Sequence, residues 1–304
     1  MQRSSELWGR CAGDGAVALG FFDGVHLGHR AVVCRMVREA GTRGLVPRVF
    51  TYAALGQAPQ GKADYTLLQT DEQKEAVLEA LGVREMICPA FAQMRDLSPE
   101  EFVTKILLQN LRAKVIVCGF NYRFGKAAAG DASLLRKLCA PLGVEVITLE
   151  PVLWQGEAVS STRIRQCVRE GRMEEAAAML GGAYGILRPV QHGKRLGRLL
   201  DSPTINQTFP PRFTIPRFGV YQSRVIIGDR QYHGVTNVGV KPTVDSPGLN
   251  CETYILDFSG DLYGRMVEVR LLRFLRDEEK FETVEAMAEQ IRRDVRAVRD
   301  LTRQ

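Results

Sequence analysis

The chain has 304 residues, a length that favours two domains over one, and its 45% hydrophobic and 25% charged residues exclude collagen-like and largely disordered architectures. The net charge of +6 is spread evenly, with an excess of two cations in residues 1–182 and four in the remainder. Such a distribution suits sites for phosphorylated small molecules better than a duplex-binding face, so no nucleic acid is expected as a partner.

Ala16 to Phe22 is an apolar run that predicts a strand, followed by a Gly-containing turn and a helix from Arg30 to Ala40. Further strand and helix units follow: strand Val46–Thr51, helix Thr70–Leu81, strand Glu85–Pro89, helix Ser98–Leu108, strand Lys114–Gly119, helix Asp131–Ala140 and strand Val144–Leu149. This alternation predicts a Rossmann-like α/β domain, a parallel sheet with helices on both faces. Helical segments from Thr162 to Leu180 run into Gly181-Gly182, where the pattern changes to short β-branched and aromatic runs. The domains are therefore placed at 1–182 and 183–304.

In the second domain Tyr221–Ile227, Gln231–Val240, Cys251–Phe258 and Met266–Phe274 read as strands of an antiparallel β-barrel or sandwich. Phe281, Val284, Met287, Ile291, Val295 and Val298 recur at helical steps, so a terminal amphipathic helix is expected to lay this stripe on the barrel. No apolar run approaches the roughly 20 residues of a membrane-spanning helix. The segment Met1–Gly13 matches neither a secretory signal nor a transit peptide, which places the protein in the cytoplasm. The seven cysteines form no C-x-x-C pair and read as reduced thiols.

The first chemical constellation is Gly20-Phe21-Phe22-Asp23-Gly24-Val25-His26-Leu27-Gly28-His29, where a strand meets a helix. The spacing sets His26 and His29 on one face, Gly28 gives a phosphate close access to the backbone, and the helix start favours an anion. Alone, the histidine pair also fits a surface turn or a metal site. Taken whole, the segment resembles the G-x-F-D-G-x-H-x-G-H signature of the nucleotidyltransferase superfamily, in the version carried by bacterial bifunctional riboflavin kinase/FAD synthetases.

The resemblance continues at Gly119-Phe120-Asn121-Tyr122-Arg123-Phe124-Gly125, similar to the family's flavin-side motif, with Asn121 and Arg123 as polar candidates. Ser160-Ser161-Thr162-Arg163-Ile164-Arg165 resembles its S-S-T-x-I-R segment, although Ser161 or Thr162 also suits a helix cap. The resemblance implies adenylyl transfer from ATP to FMN, giving FAD and pyrophosphate. His26 and His29 would stabilise developing charge, Gly20, Phe22, Asp23, Gly24, Gly28, Ser161 and Thr162 would line the nucleotide, and Arg163 and Arg165 would hold pyrophosphate. The family usually carries F-x-P-H-P after its second strand, where this chain reads Phe50-Thr51-Tyr52-Ala53-Ala54-Leu55.

A second constellation begins with Gly193, Lys194 and Arg198 in a cation-rich stretch, continues through Asp201, and ends at Pro203-Thr204-Ile205-Asn206. Thr204 and Asn206 face the same way on an extended chain and offer oxygen donors to Mg2+. With Phe218-Gly219-Val220-Tyr221, the Asn237 segment and the Glu252 segment, this region resembles the riboflavin kinase domain. The resemblance implies ATP binding by Gly193, Lys194 and Arg198, flavin contact at Asn237, and Glu252 as the base that takes the ribityl hydroxyl proton. Riboflavin, FMN and ATP are the implied partners, Mg2+ the cofactor, FMN and FAD the products. Asp201 stands where the family has Gly, and with the missing Pro-His-Pro it motivates the alternative of a single-activity adenylyltransferase with a degenerate kinase domain.

Overall fold

The computed structural model describes residues 1–53, 65–191, 204–241 and 248–303. By packing, the chain separates into two compact units, Met1–Ser161 and Thr162–Gln304. In chain order the first unit comprises β1 (Gln2–Ser4), β2 (Gly15–Leu19), α1 (Leu27–Arg43), β3 (Val46–Phe50), α2 (Asp71–Ala80), β4 (Glu85–Ile87), α3 (Pro99–Glu101) and β5 (Ala113–Gly119). It continues through a hairpin of β6 (Arg123–Phe124) and β7 (Gly130–Asp131), α4 (Ala132–Cys139), β8 (Glu145–Leu149), β9 (Leu153–Trp154) and β10 (Glu157–Ala158).

Six strands form one parallel sheet in the order β1-β4-β3-β2-β5-β8. Every residue of β2 is buried, as a strand covered on both faces requires. Val17 and Leu19 enter one core with Ile106 and Ile116, whereas Ala16 and Ala18 enter the other with Val33 and Met36 of α1. The chain winds from β2 outward through β3 and β4, then returns to place β5 on the opposite side of β2. The carboxyl ends of β2 and β5 therefore flank the topological switch point, where open α/β sheets bind ligands.

Sequence and structure differ locally. The first predicted strand stops at Leu19, because Phe22 adopts a left-handed backbone with φ 53°. The short polar edge strand β1 has no periodic signal that predicts it. The helix expected from Ser98 starts there, with a capping box joining Ser98 and Glu101, but continues from Phe102 to Asn110 as a π-helix.

The second unit contains most of α5 (Ser161–Arg169), then α6 (Met173–Leu180), β11 (Tyr184–Pro189), β12 (Thr204–Thr208), β13 (Gly219–Ile227), β14 (Arg230–Lys241), β15 (Gly248–Ile255), β16 (Met266–Arg276) and α7 (Val284–Thr302). Its sheet is antiparallel, in the order β11-β16-β13-β14-β15-β12. It curls until Gln191, just beyond β11, pairs with Asn206 of β12. Thr283 caps α7, so Phe281 precedes the helix, and Val284 is exposed. Val295 and Val298 do reach the sheet, packing with Val220, Val235 and Leu256.

A domain limit at 182/183 follows the change in sequence pattern, while α5 and α6 make specific contacts within the second unit. Arg217 N–H donates to the Val168 carbonyl at 3.3 Å, and Arg273 pairs with Glu174 at 2.6 Å. Met173, Ala176 and Met179 of α6 are fully buried. A fragment beginning at Thr162 is accordingly expected to melt roughly 5 °C or more above one beginning at Ala183, the shift that about 1 kcal/mol gives a domain of this size. Thermal unfolding of the two fragments by circular dichroism checks this.

Candidate functional site

In the first unit the switch point is occupied by the turn from Phe21 to Val25. Phe22 (φ 53°), Gly24 (φ 84°) and Val25 (φ 35°) all lie in the left-handed region, which is costly for a β-branched valine. Surrounding donors hold the turn in place. Thr51 Oγ1 donates to the Phe21 carbonyl at 2.8 Å, Gln69 Nε2 to that of Phe22 at 3.0 Å, Ser161 Oγ to that of Asp23 at 3.0 Å, and Arg30 Nε to that of Val25 at 3.1 Å. The buried Asp23 carboxylate accepts from Tyr65 Oη at 2.8 Å and from Leu68 N–H at 2.9 Å. Gly20 is required because a Cβ there would lie 2.9 Å from the folded-back Phe22 ring.

The turn delivers His26 to the N-cap of α1, where Nδ1 accepts from His29 N–H at 3.3 Å. When neutral, His26 thus carries its proton on Nε2. The two imidazoles stack with centroids 3.6 Å apart, as their spacing predicts. Gly28 lies under this pair, where a Cβ would come within 3.2 Å of the His26 ring. Burial, reinforced by His26 and Lys74, depresses the His29 pKa well below the usual imidazole value. Its Nδ1 is enclosed without a hydrogen-bond partner among the described residues.

At the end of β5, the exposed Asn121 and the largely buried Tyr122 follow Gly119, and the exposed Arg123 pairs with Asp131 at 3.6 Å. Around this edge stand rings that sequence reasoning missed: Phe21 stacks on Tyr52 at 6.2 Å and meets Tyr65 at 5.5 Å, while Tyr52 meets Phe91 at 5.4 Å. Tyr52 occupies the first proline position of the F-x-P-H-P pattern. Burial pushes its hydroxyl up to about 12. Of the S-S-T-x-I-R segment, Ser161 is tied to the turn through Asp23, and Thr162, Arg163 and the buried Arg165 follow on α5.

The second unit contains an open cavity of about 220 Å³. Thr204, Asn237 and Glu252 line it, joined by Arg276, Glu278 and Asp294, which sequence reasoning did not single out. The register explains the convergence: Asn206 of β12 lies opposite Glu252 of β15, which lies opposite Asn237 of β14. Directly opposed residues share a face, so three strands present an amide, a carboxylate and an amide in one row. Asn237 Nδ2 donates to Glu278 Oε1 at 3.1 Å. Across the cavity, Arg276 makes a two-pronged pair with the buried Asp294 at 3.0 and 2.8 Å.

Gly193, Lys194, Arg198 and Asp201, with Ala54 and Leu55 of the first unit, lie outside the described residues. Gln191 N–H donates to the Asn206 carbonyl at 2.8 Å, and Thr204 opens β12. Thr204 and Asn206 offer a hydroxyl and an amide oxygen beside the Glu252 carboxylate. This all-oxygen donor set fits Mg2+. Asn206 Oδ1 accepts from Asn250 Nδ2 at 3.1 Å and keeps a second lone pair.

The FAD synthetase family model matches residues 10–163, and the riboflavin kinase family model matches residues 180–302. A bifunctional riboflavin kinase/FMN adenylyltransferase from Listeria monocytogenes is 34% identical over 91% of this chain and 89% of its own. One from Pseudomonas fluorescens is 34% identical over 94% and 93%. The chain belongs to the bifunctional riboflavin kinase/FMN adenylyltransferase family. A solved structure titled a macrolide-efflux protein from Streptococcus pneumoniae is similar in fold throughout, with a TM-score of 0.86, 30% identity and 98% of both chains covered. Both enzymatic regions of the family are present, which favours two activities over a lone adenylyltransferase. No helix among the described residues is long and apolar enough to cross a membrane.

The depressed pKa of His29 in this FAD synthetase region has a thermodynamic consequence. The unfolded chain binds a proton near pH 6.5, whereas the folded state resists one until well below that value. Acid therefore favours unfolding, and the contribution of His29 to stability falls as pH drops below about 6.5, by up to about 1.4 kcal/mol per pH unit. The melting temperature of the parent should decline more steeply between pH 7 and pH 5.5 than that of His29→Gln; equal slopes would contradict a buried neutral imidazole.

Proposed function

We propose that the second unit phosphorylates riboflavin to FMN with ATP, and that the first unit transfers the adenylyl group of a second ATP to FMN, releasing pyrophosphate. The observation that carries the kinase assignment is the cross-strand row Asn206–Glu252–Asn237, of which Glu252 and Asn237 line an open cavity together with Thr204. In this reading Glu252 accepts the proton of the ribityl 5′-hydroxyl as that oxygen attacks the γ-phosphorus. Asn237 contacts the flavin, and Gly193, Lys194 and Arg198 embrace the ATP phosphates. Thr204 and Asn206 hold Mg2+, which when bound neutralises phosphate charge.

For adenylyl transfer the FMN phosphate attacks the α-phosphorus of ATP, so positioning and charge stabilisation dominate over covalent chemistry. Gly20, Phe22, Asp23, Gly24 and Gly28 build the nucleotide turn. His26 donates through Nε2–H. His29, neutral without ligand, gains a proton as phosphate charge arrives, because a neighbouring anion favours the imidazolium. Asn121 and Arg123 serve the flavin side. Ser161, Thr162, Arg163 and Arg165 are assigned to ATP and pyrophosphate on the family resemblance. Limits of 1–182 and 183–304 for the two activities belong to the same proposal. So does a cytoplasmic location, supported by seven unpaired cysteines.

A product time course from riboflavin and Mg-ATP tests both halves. Glu252→Gln keeps shape but removes the base, and FMN formation should fall by about 10² or more while adenylylation of supplied FMN survives. His29→Ala should lower FAD formation by about 10² to 10³ and leave FMN to accumulate. FMN made at the parent rate by the first variant, or FAD at the parent rate by the second, would remove that residue from its role.

A further inference from the structure

Lys74 of α2 is 1% exposed, and a buried ammonium normally has a close anionic partner. Here the ammonium donates long hydrogen bonds to the Phe21 carbonyl at 3.4 Å and the Tyr52 carbonyl at 3.5 Å, and the Asp71 carboxylate lies 3.6 Å away. The ammonium also lies 5.1 Å from the centre of the Phe21 ring. It therefore sits just past the carboxyl ends of β2 and β3, against the segments that follow both strands. A lysine that only filled space here would be more cheaply replaced by an apolar side chain of the same length.

We propose that Lys74 is a positioning residue for adenylyl transfer, fixing the Phe21 and Tyr52 carbonyls beneath the strained turn and presenting positive charge to the His26–His29 pair. The inference rests on the adenylyl-transfer reading of that turn. His26 and Lys74 are the titratable groups that act on His29, and Lys74 itself pairs with Asp71 and acts on the Cys88 thiol beyond β4. Burial, the neighbouring His26 and this ammonium, in that order, keep an unligated His29 neutral. An incoming phosphate then meets a site whose positive charge is already buried and aligned, and its own charge is what brings the proton to His29.

The test uses the full-length protein with Lys74→Met, which keeps length and removes charge, and Lys74→Arg, which keeps charge. Riboflavin phosphorylation by the same samples reports that the chain is folded and active elsewhere. In Lys74→Met, the NMR titration of the His29 imidazole should move upward by about half a pH unit or more, and kcat for FMN adenylylation should drop at least about tenfold. Lys74→Arg should stay close to the parent in both. A folded Lys74→Met with the parent titration or the parent kcat overturns the proposal, as does a folded Lys74→Arg that loses adenylylation to the same extent as Lys74→Met. Should Lys74→Met fail to fold, the Lys74→Arg result decides: parent-like titration and turnover support the role, loss of either overturns it. A parent protein that makes no FAD from FMN would instead refute the adenylyl-transfer reading itself.

Discussion

The structure of the first unit depends on a backbone conformation that its residues resist. Left-handed φ values at Phe22 and Val25 each cost on the order of 1–3 kcal/mol, and such geometry persists only where the surroundings over-determine it. The surroundings do so by carbonyl accounting. The carbonyls of Phe21, Phe22, Asp23 and Val25 each accept a side-chain donor, drawn respectively from β3's end, the lead-in to α2, the start of α5 and α1. Four separate segments must be in place before the turn is stable, so a correctly formed turn reports a correctly formed sheet edge. As a result two imidazoles and the first turn of α1 face the switch point in an arrangement already held in place, which is the condition for electrostatic stabilisation to be effective.

What was legible in the sequence was periodic, and what was not was an exception to a period. Strand and helix order through β2, α1, β3, α2, β4 and β5 follows from hydrophobic spacing, and so does the change to antiparallel strands. The two most consequential charges interrupt that spacing. Lys74 stands on the α2 stripe with Leu78 and Leu81, and Asp294 stands on the α7 stripe between Ile291 and Val298. Read as tolerated polar residues, both vanish into the solvated face. Read as charges on an apolar stripe, both announce a buried partner, and each faces a candidate site. That rule, a single ionisable group at a stripe position, is the signal by which they were recoverable.

Register was beyond the reach of sequence for a different reason. Glu252 alone is a residue on a strand, and nothing in its segment says which strands flank it or where they start. Only the pairing of β15 with β12 on one side and β14 on the other brings Asn206 and Asn237 beside it. A slip of one residue in either pairing would turn the amides to the opposite face. The hydroxyl contacts among Ser223, Thr236 and Thr253 lie within this same sheet, where Thr236 donates to Ser223 Oγ at 2.7 Å and lies 2.9 Å from Thr253 Oγ1. All three are fully buried, and a slipped register would leave these hydroxyls unpaired. Polar contacts in the interior thereby fix the alignment of β14 with β15 that sets Asn237 beside Glu252.

The departure at Phe50-Thr51-Tyr52 can be weighed on the same terms. Two of the groups that hold the turn come from this segment: the Thr51 hydroxyl, and the Tyr52 carbonyl that faces Lys74. The carbonyl is backbone and survives any substitution, and Thr51 occupies the variable position of the F-x-P-H-P pattern. Replacing Pro-His-Pro therefore leaves the support of the nucleotide turn intact. It changes the side-chain face instead, where the Tyr52 ring rests on the buried Phe50 and joins Phe21 and Phe91 in a contiguous aromatic cluster. Planar rings offset against one another offer stacking and edge contacts to a planar heteroaromatic at little cost in side-chain entropy. Loss of a motif at the level of letters is thus compatible with retention of the physical elements that support the turn, because those elements are carbonyl positions and the side chains that donate to them.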